Sequence, residues 1–287
     1  MSWTAFNRIN HFFEHRKGPL VFIAKQKVLA YLAEDLLTGL DPQLTINQRV
    51  LVFCGIHNGY HAHHWRRGYK LGIQTEQFLN QEGEQLWRYE SFLPKVMKHL
   101  ERFDQIIDIN SSNKPVYDGL PSHIRQKIRF GPHIFPANAP AAKAASRSLA
   151  AFVGDGSGRR TPILASLEAK QRAELIKSEL YGQPLLDELS PYAAILNIHY
   201  DRGSYTEAPR LLLALNAGKA VVSEPLSDDF IEGVHYLGLD HPLDSDQLAK
   251  VHQNFSTHVC SRFSFQQQLV TLGLASLPKA KHDQYTG

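Results

Sequence analysis

Phe152-Val153-Gly154-Asp155-Gly156-Ser157-Gly158-Arg159-Arg160 places three glycines and two arginines between a β-rich run and a helical one. Glycine lets a backbone approach a ligand closely. A helix N-terminus offers unpaired N–H groups and the positive end of a dipole. Arg159 and Arg160 add charge-assisted contacts suited to a diphosphate. The spacing matches neither a P-loop nor GxGxxG, and the plainer reading is a solvated turn with surface arginines. A second constellation spans Ile195 to Ser223, where two strand-like runs flank a helical one. Ligands of open α/β sheets sit at the carboxyl ends of strands. That rule gathers His199, Tyr200, Thr206, Glu207, Ser223 and Glu224 beside the Gly-rich loop, while Asn197 could face the core. The plainer alternatives are Thr206 as an N-cap, Glu207 as a first-turn acid, and His199 bonded to a backbone carbonyl.

Two further groups carry titratable side chains. His57, His61, His63 and His64 precede Arg66 and Arg67. His57 and His61 would share a helical face, but Gly55 and Gly59 argue for a loop and no HExxH spacing occurs. A solvated or anion-facing loop is therefore expected rather than a metal site. Gln74-Thr75-Glu76-Gln77 follows a strand-like run. Glu76 there could act as a general base on an acceptor hydroxyl, or Thr75 and Glu76 could simply cap a helix.

The elements that must position these residues alternate. Strands are predicted at 19–24, 49–54, 69–75, 103–110 and 128–130, with helices at 28–37 and 86–102, the latter kinked by Pro94. The alternation restarts with strands at 149–154, 192–199 and 219–223 and helices at 161–178, 207–217 and, with breaks, 244–273. Residues 136–147, rich in Pro and Ala, read as a linker. The fold class is α/β: two Rossmann-like domains with parallel sheets facing across a cleft, 1–140 and 146–287.

Composition bounds the rest. A chain of 287 residues with 43% hydrophobic and 21% charged residues is globular and long enough for two domains. A net charge of +3 gives no bulk case for nucleic acid. Two isolated cysteines exclude a disulfide scaffold and a thiolate zinc site, and point to a reducing cytoplasm. No transmembrane stretch and no secretory leader are visible. Trp3, Phe6, Phe12 and Phe13 form a stripe that reads as the buried face of a helix or as a peripheral membrane contact.

Several segments resemble GT-B-fold glycosyltransferases. FVGDGSGRRTPIL resembles the strand–loop–helix opening their C-terminal domain. YGQPLLDELSPYAAILNIHY resembles the approach to their donor-site strand, and TEAPRLLLALNAGKAVVSE the donor-site helix and following strand. YKLGIQTEQF and FDQIIDINSSNK resemble the later N-terminal domain. The group named by this pattern is the glycosyltransferase-family-1-like one that includes CgeB-like proteins, over about residues 69–238. The resemblance implies transfer from a nucleotide-sugar donor, held by the C-terminal domain, to a glycan, lipid-linked or protein acceptor on the N-terminal one. No cofactor and no metal are implied. Gly154, Gly156, Ser157, Arg159 and Arg160 would face the diphosphate, His199 and Tyr200 the base or ribose. Glu207 and Arg210 would face ribose or phosphate, Thr206 would open the donor-site helix, and Ser223 and Glu224 would close the pocket. Glu76 and His199 are the candidate catalytic groups. Many members carry two glutamates eight residues apart in this region; here those positions hold Tyr205 and Leu213. A non-catalytic nucleotide- or glycan-binding protein on the same scaffold is the alternative. A histidine-loop hydrolase and a nicotinamide oxidoreductase are weaker, the last for want of GxGxxG.

Overall fold

The computed structural model describes residues 12–60, 66–177 and 179–278. The first half contains β1 (Phe13–Lys17), β2 (Leu20–Ala24), α1 (Lys27–Thr38), β3 (Thr45–Ile46), β4 (Val50–Cys54), β5 (Tyr69–Gln74), α2 (Tyr89–Met97), β6 (Gln105–Asp108), α3 (Ser122–Arg125) and β7 (Ile128–Phe130). The second contains β8 (Ala150–Val153), α4 (Arg160–Ala169), β9 (Ala173–Ile176), α5 (Gln183–Leu189), β10 (Ala194–Asn197), α6 (Ala208–Ala217), β11 (Ala220–Ser223), β12 (Leu237–Gly238), α7 (Ser245–Asn254), α8 (Cys260–Phe263), α9 (Phe265–Thr271) and β13 (Ala275–Ser276).

The chain is α/β with two parallel-sheet units. The first sheet runs β1-β2-β4-β5-β6-β7, parallel except for the antiparallel edge β1. β2 and β4 are buried at every position, as a strand covered on both faces should be. Gly72 in β5 admits close neighbours: a Cβ there would lie 2.9 Å from Ile56 and 3.2 Å from Phe103. The second sheet runs β12-β11-β10-β8-β9. In order of appearance that is 5-4-3-1-2, the flavodoxin-like arrangement, which reverses between β8 and β10. The parallel strands of the first sheet follow chain order and have no such reversal.

Some elements depart from the sequence-based expectation. The helix expected over 161–178 ends at Ala169, and its last third is strand β9. Gln171 adopts φ +52, Arg172 N–H donates to the Leu167 carbonyl (2.9 Å) and Gln171 N–H to that of Glu168 (2.9 Å). That is a Schellman cap built on glutamine where glycine is usual, so nothing in the sequence marked the stop. The helix expected over 86–102 is only α2, followed by a 3-10 turn at Leu100–Arg102; Pro94 withholds a backbone donor in its middle. The aromatic stripe is not a helical face where it is described. Phe12 is buried and stacks on Tyr60 (centroids 6.1 Å), and Phe13 opens β1; Trp3 and Phe6 lie outside the described residues.

Residues 136–148 carry no regular structure and are pinned in place. The buried Lys219 ammonium donates to the carbonyls of Lys143, Ala144 and Ser190 (3.2, 3.0 and 2.9 Å). The chain end then returns to the first unit: β13 pairs with β3, Phe265 packs on Phe22 (5.8 Å), and the Gln266 side chain accepts from Asp41 N–H (2.7 Å). One buried cluster runs from β2, β4 and α1 through α5 and α6 to β10 and β11. Among the described residues no helix is long and apolar enough to cross a membrane.

Candidate functional site

The reversal between β8 and β10 splays the loops that leave these strands, and the candidate residues collect there. After β8, Gly154 takes φ +122, a conformation L side chains rarely adopt, and a Cβ there would sit 3.5 Å from an Arg210 Nη2. Asp155 closes the turn by accepting from Ser157 N–H (2.9 Å) and Oγ–H (2.8 Å). Gly156 packs the loop down, its Cβ position lying 2.9 Å from Leu164.

Two ion-pair groups follow. Arg159 grips Glu224 through both terminal nitrogens (Nη1–Oε2 2.8 Å) and donates to the His199 carbonyl (3.1 Å). Arg160, 5% exposed, donates to the Ile198 carbonyl (2.8 Å), the Asp155 carbonyl (2.9 Å) and Glu207 Oε1 (2.7 Å). The other oxygen of Glu207 takes Arg210, which also donates to Asn197 Oδ1 (2.9 Å). Three arginines thus face two glutamates, and the Asp155 carboxylate on the Gly-rich loop also feels the Arg160 charge. Burial opposes the charge on Glu224, but Arg159 and the His199 N–H outweigh it and hold the carboxyl below its ordinary range. Burial also draws Arg210 down, against the pull of Glu207.

The structure separates the predicted residues by role. Gly154, Arg159, Arg160, His199, Tyr200, Glu207, Arg210 and Glu224 meet at this edge. Arg160 and Arg210 are braces: each guanidinium is committed to protein acceptors. Arg159 is the more open arginine, its side chain 31% exposed. Ser157 lies exposed on the loop. Ser223 accepts from Asn197 Nδ2 (2.9 Å) and Thr206 shares a hydrogen bond with Ser227 (2.7 Å), so both lie buried behind the edge. His199 is 1% exposed; its Nε2–H donates to the Pro225 carbonyl (2.8 Å) and its ring stacks on Tyr205 (4.2 Å). Burial pushes its pKa down, against the Pro225 carbonyl and the charges of Glu207 and Glu224. This is the carbonyl-bonded strand-end histidine, not a ring aimed at solvent. Glu207, expected to face ribose or phosphate, ties Arg160 and Arg210 together.

Across the cleft, Glu76 follows β5. It lies 3.3 Å from His57 and 3.6 Å from Arg88, and burial raises its pKa although Arg88 opposes. His57 stacks on Phe92 (4.8 Å); burial first, then the charges of Arg88 and Lys95, lower it to about 4. Arg88 also lies over Trp87 (3.5 Å), and Trp87 meets Tyr200 (4.9 Å), which lies 5.3 Å from the Arg160 guanidinium. Trp87 and Tyr200 are 51% and 40% exposed. The first sheet's edge is therefore joined to the switch point through an aromatic pair at the cleft mouth. Sequence reasoning missed Trp87 and Arg88, since nothing local distinguishes them from a helix start.

The loops after β10 and β11 are clamped to the first unit. Gln81 N–H donates to the Ser204 carbonyl (2.7 Å), Gln81 Nε2 to Asp228 (3.0 Å) and Ser111 to Asp229 (2.6 Å). Beneath Glu76, buried Asp108 accepts from Tyr117 (2.7 Å), Asn113 (3.1 Å) and Asn110 N–H (3.0 Å); burial nevertheless lifts it to about 7. Among the described residues no three His, Cys, Asp or Glu side chains form a metal-binding group. His61, His63 and His64 lie outside them. Cys54 and Cys260 are buried free thiols pushed up to about 12.

No protein-family model and no curated protein matches this chain. Among solved structures it is similar to a point mutant of S. aureus TarM in complex with Fondaparinux, alpha-GlcNAc-glycerol and UDP, at 9% identity and a TM-score of 0.48. The match covers 88% of this chain and spans 59% of TarM's length. It is also similar to the lipopolysaccharide outer core galactosyltransferase WaaB in its apo form, at 10% identity and a TM-score of 0.34, covering 86% of this chain and 75% of that one.

Proposed function

We propose that the protein is a glycosyltransferase that moves a sugar from a nucleotide-sugar donor to an acceptor hydroxyl. The observation that carries this reading is the convergence of the Gly154–Gly158 loop and Arg159 at the β8/β10 switch point, linked to Glu76 of the first unit through Tyr200, Trp87 and Arg88. In this reading the second unit holds the donor and the first, with the returning chain end, holds the acceptor. Breaking the sugar–phosphate bond builds negative charge on the departing nucleotide diphosphate. Arg159 and the amides opening α4 would stabilise that charge. Arg160, Glu207 and Arg210 would keep the loop in place beforehand. The acceptor hydroxyl would lose its proton to Glu76, whose carboxylate burial makes more basic although Arg88 opposes. The new bond forms between the acceptor oxygen and the sugar's anomeric carbon as the diphosphate leaves. The two free, buried thiols fit a reducing compartment.

The test is a thermal-shift screen against UDP, GDP, ADP, CMP and dTDP, with and without a divalent metal, followed by donor turnover. The expected result is a rise in melting temperature with one nucleoside diphosphate and no metal. Arg159→Ala should weaken that nucleotide about 10–100-fold, the scale of a lost charge-assisted bond. Binding with no turnover on any acceptor would favour the non-catalytic reading, which the mutual commitment of Arg160, Glu207 and Arg210 supports. No shift with any nucleotide would sink the transferase reading and leave only glycan binding on the same scaffold.

A further inference from the structure

Arg88 stands just before α2, and the first helical turn sets it beside Phe92, four residues on, whose N–H donates to its carbonyl (3.0 Å). The guanidinium lies 4.3 Å from the Phe92 ring centroid and 3.5 Å from that of Trp87, so two aromatic rings hold it. His57 comes from the turn after β4 and lies flat on the same Phe92 (4.8 Å, 7° between planes). Phe92 thus carries both groups that face the Glu76 carboxylate. His57 Nε2 is 3.3 Å from Oε1, and Arg88 Nε is 3.6 Å from Oε2. Arg88 Nε is buried and completes no hydrogen bond among the described residues; the carboxylate is the acceptor set before it.

The hold on Arg88 reaches the second unit. Trp87 meets Tyr200, from the loop after β10, at 4.9 Å, and Tyr200 lies 5.3 Å from the Arg160 guanidinium. Both rings are partly exposed, so a substitution at Tyr200 removes the contact without opening a core. A planar guanidinium stacked on aromatic faces keeps its direction, which a flexible ammonium would not. Its charge favours the ionised form of Glu76, against burial. Among the described residues the ionisable groups around that carboxylate are His57 and Arg88. One layer out stand Lys95 on α2, whose charge acts on His57, and Asp108 on β6, joined to the Glu76 backbone through Asn113.

We infer that Arg88 is a positioning residue for Glu76, held in register by Trp87 and, from the second unit, by Tyr200. The carboxylate is then oriented and charged for an acceptor hydroxyl only while the two units are in contact. The catalytic meaning rests on Glu76 being the base of the proposed transfer, but the geometry is testable without turnover. A carbodiimide with glycine ethyl ester converts protonated carboxyls to amides. The pH midpoint of labelling at each residue, read by peptide mass spectrometry, therefore follows its protonation. Exposed Glu90 calibrates the reagent, and buried Asp108 reports unfolding because it is reached only if the sheet opens. Arg88→Gln should move the Glu76 midpoint up, with labelling at pH 7 rising about three- to tenfold. Tyr200→Ala should move it in the same direction, and Tyr200→Phe, which keeps the ring, should not. A cleft that is merely opened changes the extent of labelling and not its midpoint. Tyr200 is exposed, so its variants report even if Arg88→Gln folds poorly. An unmoved Glu76 midpoint in folded Arg88→Gln or in Tyr200→Ala overturns the inference, as does a Tyr200→Phe variant that shifts like Tyr200→Ala. The expected midpoints without donor turnover would support the placement of Arg88 and count against the transferase reading alone.

Discussion

Glu224 and Glu207 each hold an arginine that the sequence alone assigned to a ligand. A carboxylate that organises a guanidinium sets where the charge points before any ligand arrives, which is the preorganisation electrostatic catalysis requires. The two glutamates do so differently. Glu224 grips the partly open Arg159, whereas Glu207 bridges the buried Arg160 and Arg210. Glu207→Gln would leave two buried guanidiniums short of one negative charge. Its expected cost is about 3–5 kcal/mol in urea unfolding, the range for breaking a buried ion pair. Glu224→Gln removes a more exposed pair and should cost about 1 kcal/mol, while raising the Kd of the bound nucleotide by loosening Arg159. Equal stability losses in the two variants would contradict this division. The types of these residues were legible, as was their place at strand ends. Their pairing was not, because Arg160 and Glu207 are 47 positions apart and meet only through the β8/β10 reversal.

At the scale of elements, periodicity located the parallel strands well because β2 and β4 are continuous apolar runs. It failed at β9, where Ala173-Glu174-Leu175-Ile176 continues the α4 pattern and the stop residue is glutamine. Gln171 holds a left-handed conformation that favours glycine. Gln171→Gly should therefore raise stability by about 0.5–1 kcal/mol in denaturant unfolding, net of glycine's larger entropy loss. A loss of stability would mean that the Gln171 side chain contributes more than its backbone costs. Trp87 and Arg88 were missed for the same kind of reason. They stand just before α2, where helical apolar spacing masks the turn that aims them at the cleft.

At the scale of the whole molecule, the chain end ties the units together. Phe265 is 1% exposed against Phe22, and β13 completes a ribbon with β3. Phe265→Ala should cost about 3–5 kcal/mol although the residue lies far along the chain from the sheet it covers. A second tie is Asp35 on α1, which meets Asn216 near the end of α6. Burial, then the Glu34 charge, raise Asp35 from 3.8 to about 7, against that hydrogen bond. The folded protein thus keeps a proton that the unfolded chain releases near pH 4. It binds more protons than the unfolded chain between those values, so this group's contribution to stability falls as pH rises from about 4 to about 7. Asp35→Asn should flatten that part of the profile and add on the order of 1–3 kcal/mol at pH 8. Urea midpoints measured at pH 5 and pH 8 check it, and an unchanged slope would show that Asp35 titrates at its ordinary value.

By itself, the sequence determined the α/β class and the place of most parallel strands along the chain. These follow from local rules: side-chain periodicity, turn residues and the requirement that a parallel sheet be covered on both faces. Only the tertiary structure decided the strand order of each sheet and the switch point. It also decided which arginines are braces and which is open, the burial of His199, and the return of the chain end to the first unit. Those depend on contacts between residues tens to hundreds of positions apart. Such contacts are chosen by the packing of whole faces, on which no short stretch of sequence carries information.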